Sequence, residues 1–143
     1  MAVARFEVRT SAVAQLVEIT AQVRDVVRAS GVAEGIAVVW CAHTTAGITV
    51  QENADPDVAH DLLLVLENAV PGRAPRGEYL HGEGNSPAHA KAALTGTSVT
   101  LIVERGVPVL GTWQGVFLCE FDGPRTRTVA VKVVAGGVPA TSA

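Results

Sequence analysis

Three histidines stand beside turns that are rich in glycine, threonine or asparagine. His43 ends an apolar stretch, His81 lies in a glycine-rich segment, and His89 falls about one turn into a predicted helix. If the three rings converge, they form a three-nitrogen metal site with one open position, as in catalytic zinc centres. No His-x-His or His-Glu-x-x-His motif fixes two of these ligands on one element. The spacing permits a site for Mg²⁺ or Zn²⁺, and the alternative is that each ring is structural.

A second polar group lies just before a predicted helix. Glu52 follows an apolar strand directly, where a carboxylate can act as a general base or as a magnesium ligand. Asn53 either orients a substrate or forms an Asx turn. Helix capping explains Asp55 fully, and compensation of the helix dipole explains Asp57 in part. Glu52 is therefore the member of this group that most favours chemistry.

Two turns carry groups that suit a phosphate. Thr44 and Thr45 offer hydroxyl groups. The helix that begins at Ser86, directly after Asn85, offers free backbone N–H groups at the positive end of its dipole, and Lys91 would supply a matching charge. No Walker A or Gly-x-Gly-x-x-Gly pattern is present, so ordinary turn and cap chemistry is the alternative.

Four further side chains belong to the C-terminal third. Trp113 and Gln114 precede a predicted strand, and Trp113 either walls a pocket or belongs to the core. Arg125 and Arg127 fall at a predicted edge or turn, so we expect both to be solvated.

Composition limits the functional class. The 143 residues suit one domain, and a hydrophobic fraction of 48% supplies a full core. A net charge of −3 and 4% aromatic residues argue against nucleic-acid binding. No apolar run approaches the roughly 20 residues that span a bilayer, and no signal peptide is evident. Cys41 and Cys119 form no Cys-x-x-Cys pair, so we expect two buried free thiols in a cytoplasmic protein.

Hydrophobic patterning predicts three helices. The first runs over Gln22–Ser30, with Thr20 as its N-cap. It ends there because Gly31 is a natural C-terminal stop. Asp55 and Pro56 begin the second, which continues through Leu66 with an inner stripe of Val58, Leu62, Val65 and Leu66. The third begins at Ser86 and ends at Gly96.

Alternation and β-branched content predict strands between these helices. The predicted strands are Arg5–Thr10, Val17–Ile19, Gly35–Ala42, Ala46–Gln51, Val99–Val103, Val107–Leu110, Gly115–Phe121 and Thr126–Val134. We expect the last four to form an antiparallel meander. The fold class is therefore α+β, a largely antiparallel sheet or sandwich with about three helices packed on it.

Three ordered motifs resemble signatures of the YjbQ-type family. The first combines His43–Thr49 with Glu52–Val58, the second combines Pro87–Lys91 with Leu94–Gly96, and the third combines Leu110–Val116 with Glu120. The resemblance covers roughly residues 3 to 135. We therefore expect one YjbQ-like domain over residues 1–135, followed by a flexible tail over residues 136–143.

This resemblance implies a compact α+β homotrimer with pockets near subunit boundaries. It also implies a secondary thiamine-phosphate synthase, which couples a hydroxymethylpyrimidine diphosphate to a thiazole phosphate and releases pyrophosphate with the help of a divalent cation. The polar residues that match the family motifs are His43, Thr44, Glu52, Asn53, Asp57, His81, His89, Lys91, Gln114 and Glu120. The segment between the two later histidines has fewer acidic residues here than in many family members.

From these motifs we assign candidate roles. The candidate metal ligands are His43, His81 and His89; the candidate catalytic residues are Glu52, Asp57, Lys91, Gln114 and Glu120; the candidate substrate or phosphate ligands are Thr44, Thr45, Asn53, Asn85, Ser86 and Trp113. The expected partner is a small phosphorylated substrate. Two alternatives stay open, a metal-dependent hydrolase of a small phosphorylated or acyl compound and a non-catalytic trimeric protein that binds a small anion.

Overall fold

A computed structural model describes residues 2–137 of the chain. The elements, in chain order, are β1 (Ala4–Arg9), β2 (Gln15–Glu18), α1 (Thr20–Ser30), β3 (Gly35–Cys41), β4 (Ala46–Glu52), α2 (Pro56–Ala69), α3 (Ser86–Thr95), β5 (Ser98–Glu104), β6 (Val107–Pro108), β7 (Gln114–Glu120) and β8 (Thr126–Ala135). This is the α+β fold that the sequence predicts. No helix among residues 2–137 is long and apolar enough to cross a membrane.

The strands form two antiparallel sheets. The larger sheet has the order β1-β8-β3-β5-β6, and the smaller has the order β2-β7-β4. Side chains from both sheets and from α1 share one core, in which Val23 of α1 is buried with Val39 and Val131 of the larger sheet and Ile48 and Leu118 of the smaller one. The core therefore joins the two sheets through their inner faces and through α1.

The predicted C-terminal meander is wrong. Among the strands of residues 2–137, only β5 and β6 pair as sequence neighbours, whereas β7 lies between β2 and β4 and β8 lies between β1 and β3. The two last strands thus belong to different sheets, because each pairs with strands from the N-terminal half. Strand β6 is also shorter than predicted and ends at Pro108.

The helix starts differ in how well the sequence predicts them. Asp55 caps α2 as predicted, since its side chain accepts a hydrogen bond from the Asp57 N–H at 2.9 Å. Thr20 does not cap α1, because it is the first residue of the helix itself. Its hydroxyl oxygen instead accepts from the Val116 N–H at 2.9 Å and so ties α1 to β7.

Helix α2 is held less firmly than its pattern suggests. None of its residues is buried. Val65, predicted on the inner stripe, is 61% exposed, so that prediction is wrong. Leu63 instead packs with Leu66 against a small second cluster that includes Cys119 and Phe121.

Helix α3 is attached at both ends. At its end, the Gly96 carbonyl accepts a hydrogen bond from the Ile48 N–H of β4 at 3.0 Å. A Cβ on Gly47 would lie 2.5 Å from that carbonyl oxygen, so only glycine allows this close approach. At its start, Asn85 bonds to Asp122 in the turn between β7 and β8. The helix therefore has a fixed position relative to both sheets.

Both cysteines are free and buried, as predicted. Burial raises the pKa of the Cys119 thiol to about 12, and burial also raises the pKa of Cys41. Trp113 is 63% exposed, which excludes the core alternative for that residue. Of the predicted tail, residues 138–143 lie outside the described residues.

Candidate functional site

A pocket of about 320 Å³ opens where three chain segments meet, and we call it the His43 pocket. Its walls are formed by three parts of the chain: the segment between β3 and β4, the start of α3 with the loop before it, and the β7–β8 turn with the start of β8. Its lining residues are Ala42, His43, Thr44, Thr45, Glu83, Asn85, His89, Asp122, Arg125 and Arg127.

Arg127 reaches this pocket from within the larger sheet and is only 4% exposed. Its Nε donates to Glu120 Oε2 at 2.8 Å, and its Nη2 donates to Thr45 Oγ1 at 2.9 Å and to Glu120 Oε1. None of the hydrogen bonds within residues 2–137 uses Nη1 of Arg127. The guanidinium is therefore held in one orientation and keeps two N–H donors for a ligand.

Glu120 is a buried anchor for Arg127. Its carboxylate accepts from the Thr10 hydroxyl at 2.9 Å, from the Phe121 and Asp122 N–H groups at 3.1 and 2.9 Å, and from Arg127. Burial by itself raises the pKa of Glu120, but these hydrogen bonds outweigh it and lower the pKa below its ordinary value. Glu120 does not line the pocket, so its position favours a role in holding Arg127 over the predicted catalytic role.

His43 is a neutral hydrogen-bonding residue in this pocket. Its Nε2 accepts from the Thr128 N–H at 2.9 Å, and the neutral ring must then carry its proton on Nδ1. Burial, followed by the nearby Arg127 charge, lowers the pKa of His43. The ring therefore offers one N–H donor at neutral pH.

His81 and His89 lie in direct contact. Their rings meet edge to face with centroids 5.2 Å apart, and His81 Nε2 lies 3.8 Å from Glu83 Oε2. His89 lines the same pocket as His43, so these two predicted residues do come together.

The predicted three-histidine metal centre does not form in the described part of the chain. Across residues 2–137, no three His, Cys, Asp or Glu side chains are grouped so that they could hold a metal ion. Nε2 of His43 is taken up by the β8 backbone. His81 lies against His89 and outside the pocket lining. These residues do not fit the divalent cation that the resemblance implies.

Asp122 lies at the centre of a second polar group. Its Oδ2 accepts from Asn85 Nδ2 and from Arg125 Nη2, each at 2.9 Å. Burial raises the pKa of Asp122, but the hydrogen bonds from Asn85 and Arg125 outweigh it, so the pKa is lowered. Because a carboxylate only accepts, the Asn85 amide nitrogen must face Asp122, which leaves Asn85 Oδ1 buried without a partner within residues 2–137.

Several predicted site residues lie away from the pocket. Strand β4 begins at Ala46, opposite Glu120, and ends at Glu52, opposite Gln114. Seven extended residues span about 20 Å, so Glu52 and Gln114 belong to the far end of the smaller sheet. Asn53, Asp57, Ser86 and Trp113 are also outside the pocket lining.

Two of the displaced residues have other partners. Asn53 Nδ2 donates to Glu18 Oε1 at 2.9 Å. Lys91 is buried and forms a salt bridge with Glu67, which joins α3 to α2. Lys91 is absent from the pocket lining, so the predicted match to a phosphate charge has no contact to support it.

The sequence interpretation missed Arg127 and Asp122. Arg127 was expected to be solvated and is buried, whereas Arg125 keeps a side chain that is 53% exposed. A usable signal existed, because Arg127 shares the strand parity of Val129, Val131 and Val133, all of which are buried. An arginine on the apolar face of a strand predicts a buried ion pair.

Comparison with known proteins agrees with this architecture. A family model described as UPF0047 protein YjbQ-like matches residues 4–136. UPF0047 protein MJ1081 of Methanocaldococcus jannaschii is 45% identical over 130 residues, which cover 91% of this chain and 92% of that protein. UPF0047 protein YugU of Bacillus subtilis is 43% identical over 128 residues, which cover 90% of this chain and 96% of that protein.

Solved structures give the same result. A YjbQ/UPF0047 family protein from Clostridium acetobutylicum superposes with a TM-score of 0.87 at 50% identity, covering 92% of this chain and 99% of that one. A YbjQ-like protein of unknown function from Sulfolobus solfataricus gives a TM-score of 0.88 at 31% identity, covering 94% and 97%. The chain belongs to the YjbQ-like UPF0047 family.

Proposed function

We propose that this chain is an enzyme for small phosphorylated compounds that binds a phosphate group in the His43 pocket. The reaction we propose is the thiamine-phosphate-synthase-like coupling of a hydroxymethylpyrimidine diphosphate to a thiazole phosphate, with release of pyrophosphate. The observation that carries the proposal is Arg127, a buried and oriented guanidinium with two N–H donors left for a ligand.

The lining supplies the other groups that such a reaction needs. Hydroxyls of Thr44 and Thr45 and the Nδ1–H of His43 are further donors for phosphoryl oxygens. Negative charge builds up on the leaving pyrophosphate as its bond to carbon breaks, and preorganised donors stabilise that charge. Because Glu120 fixes Arg127 before the ligand arrives, little side-chain entropy is lost on binding.

The size of the pocket limits what one chain can hold. A volume of about 320 Å³ lies at the small end of ligand sites, which range over roughly 300 to 1,000 Å³. The pocket therefore suits the phosphorylated end of one substrate. We propose that the second substrate binds where a neighbouring subunit completes the site.

Support for the proposed homotrimer comes from exposed apolar side chains. Leu64 and Val65 of α2 are 51% and 61% exposed, and Leu80, in the segment before α3, and Leu94 of α3 are exposed as well. A helix with a half-covered apolar surface is typical of a face that another subunit covers. Such a subunit would also stabilise α2, which contributes no buried residue to its own chain.

The test is pyrophosphate release from the two phosphorylated substrates, measured with Mg²⁺ supplied in solution. We expect release by the wild-type chain and at least a hundredfold loss in Arg127→Met, while Arg24→Met, a matched change at an exposed arginine of α1, keeps full activity. If Arg127→Met does not fold, pyrophosphate release is measured with Arg127→Lys instead. Absence of release by a folded wild-type protein would reject the transferase.

A second candidate is a protein that binds a small anion without turnover. The observation that favours it is the position of Glu52, the predicted general base, at the end of β4 remote from the His43 pocket. This candidate predicts phosphate binding that depends on Arg127 together with no pyrophosphate release.

A further inference from the structure

The His43 pocket contains a donor and an acceptor that nothing in the described chain satisfies. Nη1 of Arg127 takes part in none of the hydrogen bonds within residues 2–137. The same holds for Oδ1 of Asp122, whose Oδ2 takes both bonds from Asn85 and Arg125. Both residues line the pocket, and Asn85 Oδ1 is the one unpaired side-chain atom that is shielded from solvent in the described chain. Asp122 Oδ1 is therefore accessible to a ligand.

We infer that this pocket selects an oxyanion that still carries a proton, such as a hydrogen phosphate group, over a fully ionised anion such as sulfate, and that Asp122 is the residue that selects. The inference rests on the proposed phosphate site. The bound phosphate oxyanion then carries a proton, and Asp122 is the residue that requires it.

The charges around the pocket support this selectivity. The lining carries two guanidinium groups, on Arg125 and Arg127, and two carboxylates, on Glu83 and Asp122. The Glu120 carboxylate lies directly behind Arg127 and offsets its charge. The pocket thus has no surplus of positive charge for a dianion, and binding there depends on matched hydrogen bonds.

The fixed orientation of Asp122 makes its free oxygen a discriminating acceptor. Hydrogen bonds from Asn85 and Arg125 hold the carboxylate, and a lowered pKa keeps it ionised. A phosphate O–H that points at Oδ1 forms a charge-assisted hydrogen bond, whereas an unprotonated oxygen in the same place is repelled. Glu83, the other carboxylate of the lining, has a side chain that is 72% exposed and cannot impose such geometry.

The experiment is calorimetric titration of the full chain with inorganic phosphate and with sulfate, near pH 6 and near pH 8.5. Near pH 6 we expect phosphate to bind at least about tenfold more tightly than sulfate. We expect the preference to persist near pH 8.5, because inorganic phosphate is then HPO₄²⁻, which still carries one proton to donate to Asp122 Oδ1. Sulfate keeps its charge over this range, so its affinity corrects for titration of the protein itself.

Two variants assign the selectivity to one atom. Asp122→Asn places an amide where the free oxygen was, so we expect the preference for phosphate to vanish. Glu83→Gln makes the same carboxylate-to-amide change on the rim, and we expect the preference to remain. If both variants lose it, net charge and not Asp122 is responsible, and the inference is overturned.

The remaining outcomes separate the inference from the proposed function. Equal binding of phosphate and sulfate by the wild type, with loss of both in Arg127→Met, would overturn the inference and leave the phosphate site in place. Binding of neither anion, or binding that Arg127→Met does not weaken, would reject the site itself. If a variant fails to fold, the wild-type comparison still tests whether the pocket prefers phosphate to sulfate.

Discussion

Glu120 and Arg127 join the two sheets by a buried ion pair. Glu120 is the last residue of β7 in the smaller sheet, and Arg127 is the second residue of β8 in the larger one. The turn between them carries Asp122 and Arg125, which line the His43 pocket. The pair therefore fixes the end of the core and the wall of the pocket at once.

Breaking this pair is expected to destabilise the protein strongly. Glu120→Gln keeps the shape of the side chain but leaves the Arg127 charge buried without its counterion. We expect a loss of about 3–5 kcal/mol in the free energy of unfolding, measured by urea denaturation. Glu104→Gln, at an exposed position of β5, is the matched control and should stay within about 0.5 kcal/mol of wild type. A loss below about 1 kcal/mol in Glu120→Gln would show that the pair contributes little.

His43 is expected to make stability depend on pH. Its folded-state pKa lies below the ordinary value of 6.5, so between the two values the unfolded chain binds more protons than the folded chain. The free energy of unfolding should therefore fall as pH drops below about 6.5, and stability should be fully present above that pH. His43→Gln should flatten this slope, and His60→Gln, at an exposed histidine of α2, should leave it unchanged. The same slope in wild type and His43→Gln would contradict the assignment.

Glu120 is expected to make the free energy of unfolding depend on pH in the same direction as His43, but at lower pH. Its folded-state pKa lies below the ordinary value of 4.5, so its contribution to stability is present above that value and is lost as pH falls through the folded-state pKa. We expect acid unfolding of Glu120→Gln to show a weaker pH dependence below about pH 4.5 than that of the wild type. A steeper dependence in the variant would contradict the lowered pKa.

Lys91 and Glu67 should respond unequally to substitution. The Lys91 side chain is 9% exposed and the Glu67 side chain is 59% exposed. Removal of the Glu67 carboxylate therefore leaves a buried ammonium group without its counterion, whereas removal of the Lys91 ammonium leaves a carboxylate that water can solvate. We expect Glu67→Gln to lower the unfolding free energy more than Lys91→Met does, with both measured by urea denaturation. We also expect Lys91→Met to bind phosphate like the wild type, and a large loss of affinity would return Lys91 to the binding site.

The exposed face of α2 should determine the oligomeric state. If Leu64 and Val65 lie in the proposed trimer interface, Leu64→Glu combined with Val65→Glu should reduce the mass from three chains to one by light scattering. Arg24→Glu, an exposed change on α1, should leave the mass unchanged. A monomeric wild type would contradict the trimer.

Local pattern was enough to predict most elements and the class of the fold. The alternation in β8 and the Asp55-Pro56 helix start are signals confined to a few neighbouring residues. The partners of β7 and of β8 could not be predicted in this way, because each of these strands pairs with strands from the N-terminal half. The alternation of apolar and polar residues along a strand does not indicate which distant strand it pairs with.

The candidate site divides in the same manner. His43, just after β3, and His89, in the first turns of α3, line one pocket, as the convergence hypothesis expects of these two residues. It wrongly suggested that Glu52 accompanies His43, since nine residues of separation look short in a motif but include a whole extended strand. Arg127 was missed because its charge was given more weight than its parity with Val129.

The attachment of α3 has a consequence for how the pocket can work. With Gly96 bonded to β4 and Asn85 bonded to the β7–β8 turn, the helix cannot slide along its axis or tilt without giving up a contact at one end. His89 is carried on that helix and lines the same pocket as Arg127. Of the pocket walls, the part of the loop before Asn85 that carries Glu83 is held by neither of these two contacts.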